Sequence, residues 1–125
     1  KLADKIDPMR LLVAGLVALI AADLVLAHGD HWGVIVAGVA LWGLHMGMTQ
    51  GLLAAIVAKT APAQLRGTAF GLFNLLTGIV TLVASIIAGA LWDRVGATAT
   101  FYASAAFSLC TIALLLLRGG RLKSV

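Results

Sequence analysis

The sequence predicts an all-α membrane protein built from four transmembrane helices. Three observations carry that prediction. Apolar residues make up 62% of the chain, charged residues only 11%, and the mean hydropathy is +1.06. A water-soluble domain carries about a quarter charged residues. The apolar residues also fall into four runs, about 11–27, 33–58, 68–92 and 99–117, each on the scale needed to cross a ~30 Å hydrocarbon core. Finally, the nine lysines and arginines lie at the ends of those runs, where membrane topology places them. A nucleic-acid-binding face is therefore not expected, despite the net charge of +4. At 125 residues the chain has no room for a separate large domain.

Residues 1–10 (KLADKIDPMR) are polar and form a loop ahead of the first span. Leu11 to Ala27 is an almost unbroken apolar run, bounded by Arg10 and His28. No small-residue cleavage site leads from it into a polar domain, so it is not read as a signal peptide. Its Ala14, Ala18 and Ala22 form a seam of small residues, and Asp23 is expected to be wetted near the outer surface or paired with Arg94. The turn HGDHW, His28 to Trp32, leads into the glycine-rich second span. Lys59 to Gly67 forms the next turn, with Pro62 as a helix breaker. Asp93 to Thr98 is the third turn, and 118–125 is a basic tail.

Four spans put both termini and the Lys59–Gly67 turn on one side of the membrane. That side holds Lys1, Lys5, Arg10, Lys59, Arg66, Arg118, Arg121 and Lys123, and the other only Arg94. The positive-inside rule then makes both termini cytoplasmic.

The second span has two unlike faces. Gly43, Gly47 and Gly51 recur every four residues, a ridge that lets another helix approach closely. Away from the middle of that ridge lie Trp42, His45, Met46 and Thr49, with Gln50 at the border. The plain reading is that His45 and Gln50 bond to neighbouring helices. The sharper reading is that they line a water-filled path, because polar and ionisable groups inside a membrane are costly.

The third span carries a similar ladder. At ~100° per residue, Gly67, Phe70, Gly71, Asn74, Thr77, Gly78, Thr81 and Ser85 share about a third of the circumference, opposite Leu, Ile and Val. Gly71 and Gly78 are read as packing positions. The hydroxyls can bond to their own helix one turn back, whereas Asn74 needs a partner. Asn74 and Thr77 therefore join Trp42, His45, Thr49 and Gln50 as candidates for lining a solute cavity. In the fourth span, Ser104, Ser108 and Thr111 make a milder stripe, read as helix packing.

The residues do not favour catalysis, a bound metal or a cofactor. There is no zinc-binding His/Glu motif, phosphate-binding glycine loop or plausible nucleophilic triad. His28, Asp30 and His31 read as a polar turn. The single Cys110 excludes an internal disulfide and reads as a packing residue.

The stretch APAQLRGTAFGLFNLLTGIVTLVASIIAGALWDRVG, followed by ATFYASAAFS, closely resembles the last part of bacterial major facilitator superfamily transporters. The opening KLADKIDPMRLL is similar to that superfamily's loop signature G-x-L-A-D-[RK]-x-G-x-[RK]-[RK]. Leu2, Ala3, Asp4 and Lys5 match it, Asp7 stands at the second glycine, and Pro8 and Met9 interrupt its basic end. The resemblance covers essentially the whole chain and implies a partial carboxyl-terminal bundle, helices nine to twelve of twelve. It implies a segment of a secondary transporter of the bacterial inner membrane, working by alternating access and not competent alone. The second and third spans would border the central cavity, and the first and fourth would be peripheral. The partners would be lipid, the remaining transporter helices or other membrane subunits, and a small solute. The alternative is an accessory or scaffold subunit, with His45 as a possible ligand to haem or another pigment.

Overall fold

The computed structural model describes residues 7–122, with side chains described through Gly119. The loop-signature residues Leu2, Ala3, Asp4 and Lys5 lie outside the described residues. Four long helices alternate in direction: α1 (Pro8–Ala27), α2 (Trp32–Thr60), α3 (Arg66–Val95) and α4 (Ala97–Leu122). Each has the length and hydropathy of a membrane span, and the protein is an integral membrane protein. No strand occurs among the described residues.

Each boundary has a local cause. Asp7 caps α1, its carboxylate accepting from the Met9 amide at 3.1 Å, and Pro8 occupies the first turn, where its missing N–H costs nothing. His28 ends α1 by turning its Nδ1–H onto the Leu24 carbonyl at 2.9 Å. α2 stops before Pro62, and a short 3₁₀ turn, Ala63–Leu65, leads directly into α3. The α3–α4 connection narrows to Gly96 alone, at φ +111°, a conformation that an L side chain rarely adopts.

The helices outrun the apolar runs at most ends. At ~1.5 Å per residue, the 30 residues of α3 exceed a ~30 Å core, so the basic and acidic ends of the helix emerge from the hydrocarbon. The third turn expected over Asp93–Thr98 is therefore mostly helix.

Most of the packing is made by α1, which lies against both α2 and α4, whereas α3 touches its neighbours lightly. No residue of α3 is buried. The buried positions are small or polar: Gly15, Ala22 and Asp23 on α1, Gly38 and Thr49 on α2, and Ala105 and Ser108 on α4. Lipid tails are as apolar as leucine, so helices in a membrane gain by close backbone approach rather than by hiding large side chains. The large side chains accordingly face outward. Leu82 and Ile86 on α3 and Phe107 and Leu117 on α4 are among those exposed.

Two expectations about α1 are corrected. Its seam runs through Gly15 and Ala22, while Ala14 is exposed. Asp23 is neither wetted nor paired with Arg94. It is 4% exposed, its Oδ2 has no hydrogen-bond partner, and Arg94 is exposed on α3. The cause is α4, which closes over this turn of α1 and sets Ser104 beside the carboxylate.

Candidate functional site

The polar residues of α2 divide between two jobs. His45 is half-buried, and its Nδ1–H donates to the Gly15 carbonyl of α1 at 2.8 Å. Thr49, one turn later, is 6% exposed, and its hydroxyl donates back to the His45 carbonyl at 2.8 Å. Its methyl group points at Gly15, where a Cβ would sit 2.7 Å away. These two side chains dock α1 onto α2. Trp42 and Gln50 are exposed and open to whatever lies beside the helix.

The close helix contacts form at positions other than the predicted ridge. A Cβ built at Gly38 would meet the Leu26 side chain at 2.6 Å, whereas nothing lies within 4 Å of Gly43, Gly47 or Gly51. At ~100° per residue, Gly38, His45 and Thr49 share one side of α2, and the Gly43–Gly47–Gly51 ridge lies about 180° away. α1 occupies the first side, and the ridge meets no partner among the described residues. Gly71 and Gly78 on α3 are equally open.

Asn74 and Thr77 are both exposed on α3. Among the described residues, no hydrogen bond joins them to Trp42, His45, Thr49 or Gln50. The two polar stripes are thus presented separately. Elsewhere Thr60, Thr100 and Thr111 return their hydroxyl bonds to carbonyls of Ile56, Gly96 and Phe107, four residues earlier.

A polar clasp that the sequence reading missed closes the other end of the bundle. The Tyr102 hydroxyl of α4 donates to His28 Nε2 at 2.9 Å, with the rings edge to face at 5.8 Å. Thr98 reaches the Ala27 carbonyl at 3.4 Å. His28 therefore has both ring nitrogens engaged, one on its own helix and one on α4. The described residues contain no group of three His, Cys, Asp or Glu side chains arranged for a metal ion.

Four antiparallel apolar helices, with small residues inside and polar stripes on α2 and α3, define a polytopic helical membrane protein. The sequence profile described as Major Facilitator Superfamily matches residues 1–124. The chain belongs to that superfamily, a family of transporters. It is 32% identical over 91 residues to an uncharacterized MFS-type transporter of Methanocaldococcus jannaschii, covering 73% of this chain and 23% of that protein. It is 26% identical over 96 residues to an uncharacterized MFS-type transporter of Mycobacterium tuberculosis, covering 77% of this chain and 17% of that protein. The chain thus spans less than a quarter of the length of these curated relatives. No solved structure matches it.

Proposed function

We propose that the chain forms part of a secondary active transporter that moves a small solute by alternating access, working with helices beyond these four. Its place in that assembly corresponds to helices nine to twelve of twelve, in a bacterial inner membrane, with both termini cytoplasmic. The observation that carries this reading is the exposure of Asn74 and Thr77 on α3, a membrane helix with no buried residue in this bundle. An amide facing hydrocarbon would be expensive. It is supported if a water-filled cavity or a polar solute lies against that face.

Trp42 and Gln50 offer the second, separate stripe from α2, with His45 beside it holding α1 in place. The ridge of Gly43, Gly47 and Gly51, with Gly71 and Gly78, receives the remaining helices. Rocking of two bundles about a midplane site then exposes the stripes to each side in turn.

The test is transport by the whole protein in proteoliposomes. Asn74→Ala and Gln50→Ala are expected to lower transport while the amount of folded protein stays constant. Unchanged transport in both variants would remove the two stripes from the solute path.

A further inference from the structure

Where α2 and α4 both pack on α1, they enclose an acidic side chain. Asp23 is 4% exposed, and its Oδ2 has no hydrogen-bond partner. Ser104 of α4 stands beside the carboxyl, and His45 of α2 is the one ionisable group among the described residues whose charge bears on it. Five residues further along α1, about 8 Å at ~1.5 Å per residue, the His28–Tyr102 and Thr98–Ala27 bonds tie α4 across the end of the helix. We propose that Asp23 is a proton-binding site, enclosed by this packing and latched by the His28–Tyr102 clasp.

Burial is the first argument. An ionised carboxylate at this place would lose its water and gain no partner for Oδ2, and a buried acid so placed takes up a proton rather than keep its charge. The proton passes between solution water and Oδ2, making or breaking only that O–H bond. Electrostatics is the second argument. His45 commits its Nδ1–H to the Gly15 carbonyl at 2.8 Å, and Gly15 lies ~12 Å from Asp23 along α1. Arg94 is exposed on α3, and from α4 the carboxyl meets a neutral hydroxyl. Enclosure is the third. Helices beyond these four cannot reach a carboxyl that α1, α2 and α4 already cover. The latch follows from position. His28, Thr98 and Tyr102 are exposed, so the nearest solution lies on their side, and α4 must lift there before water meets the carboxyl. The inference is independent of the solute path.

The experiment uses the whole protein in proteoliposomes at neutral pH, with isotope-labelled aspartate, and reads infrared difference spectra. Subtracting the Asp23→Asn spectrum is expected to isolate the carbonyl stretch of a protonated carboxyl, with circular dichroism confirming the fold. Ser104→Ala should move the same band, because it removes the hydroxyl beside the carboxyl, and this comparison needs no variant at Asp23. A carboxylate stretch in place of the band, or a band that Ser104→Ala leaves unmoved, overturns the proposal. A protonated-carboxyl band that appears only in His45→Gln would put the proton on His45 and also overturns it. Transfer to heavy water then reads the latch. Tyr102→Phe should hasten exchange of the carboxyl proton about fivefold, the equivalent of one hydrogen bond of about 1 kcal/mol. Thr111→Ala, toward the far end of the same helix, should leave the rate unchanged. Equal exchange in the wild type and Tyr102→Phe overturns the latch.

Discussion

The imidazole of His45, near the middle of α2, is tied to the backbone of α1 through a 2.8 Å bond from Nδ1 to the Gly15 carbonyl. That carbonyl already serves its own helix and accepts the imidazole because Gly15 has no side chain to block the approach. The bond places a proton on Nδ1, because a carbonyl oxygen can only accept. His45→Ala is expected to lower unfolding stability by about 1 kcal/mol, the scale of interhelical hydrogen bonds in membranes. His45→Gln, whose amide can donate, should recover part of it. Thermal unfolding and transport measured on the same preparations separate docking from solute contact. Full transport together with lost stability would confine His45 to docking, and lost transport at wild-type stability would place it on the solute path.

Gly15 and Gly47 should respond differently to the same added methyl group. A Cβ at Gly15 would lie 2.7 Å from Thr49 Cγ2, and Thr49 cannot readily rotate away because its hydroxyl is held by the His45 carbonyl. Gly15→Ala must therefore push α1 off α2, at a cost of about 1–3 kcal/mol for overpacking. Gly38→Ala should also cost stability, because its Cβ would lie 2.6 Å from both Cγ and Cδ2 of Leu26. Gly47→Ala has open space within these four helices and should gain about 0.5–1 kcal/mol from reduced backbone freedom. A clear loss at Gly47→Ala in the whole protein would show that an outside helix fills the ridge.

The arrangement of basic residues predicts membrane orientation. Single cysteines at the exposed positions Asp30 and Ala63, in a Cys110→Ala background, should react with a membrane-impermeant maleimide from opposite sides. Ala63→Cys is expected to label only after the inner face is opened. Reaction of both from the same side would overturn the alternation of the four spans, and reversed sides would overturn the cytoplasmic assignment of the termini.

The four helices were legible because each apolar run is long and is bounded by the His28–Trp32 turn, by Pro62 or by Gly96. The partner of each small-residue face was less legible. The Gly43–Gly47–Gly51 period marks a side that permits close approach, but a period names no partner, and α1 docks on the opposite side through Gly38 and Thr49. Gly15 is a single glycine among leucines and valines, so it gave no periodic signal. The His28–Tyr102 clasp was hidden for another reason. Its members are 74 residues apart and meet only because α1 and α4 are neighbours, an adjacency that span counting does not supply. Asp23 looked wet because it is near the end of its run, and the helices packed on α1 cover it.

Asp23 is the position where the bundle buries a polar atom without a partner among the described residues. Its carboxyl is 4% exposed, with Oδ2 unpartnered and Ser104 and His45 as the polar groups that act on it. A buried polar atom without a partner costs about 1–3 kcal/mol, whereas an apolar group of similar shape at that place carries no such cost. Asp23→Val, close in volume and free of polar atoms, is therefore expected to raise unfolding stability by about 1–3 kcal/mol. Asp23→Asn, which preserves shape and still buries polar atoms, should stay near the wild type. Both are checked by unfolding in detergent and by transport in proteoliposomes. A loss of stability in Asp23→Val would mean that Oδ2 is satisfied in the folded protein, which sinks the argument. If Asp23→Val is stabilised yet transports poorly, the carboxyl takes part in the transport cycle at a site outside the polar stripes of α2 and α3. If transport is unaffected, Asp23 is only a cost to this bundle.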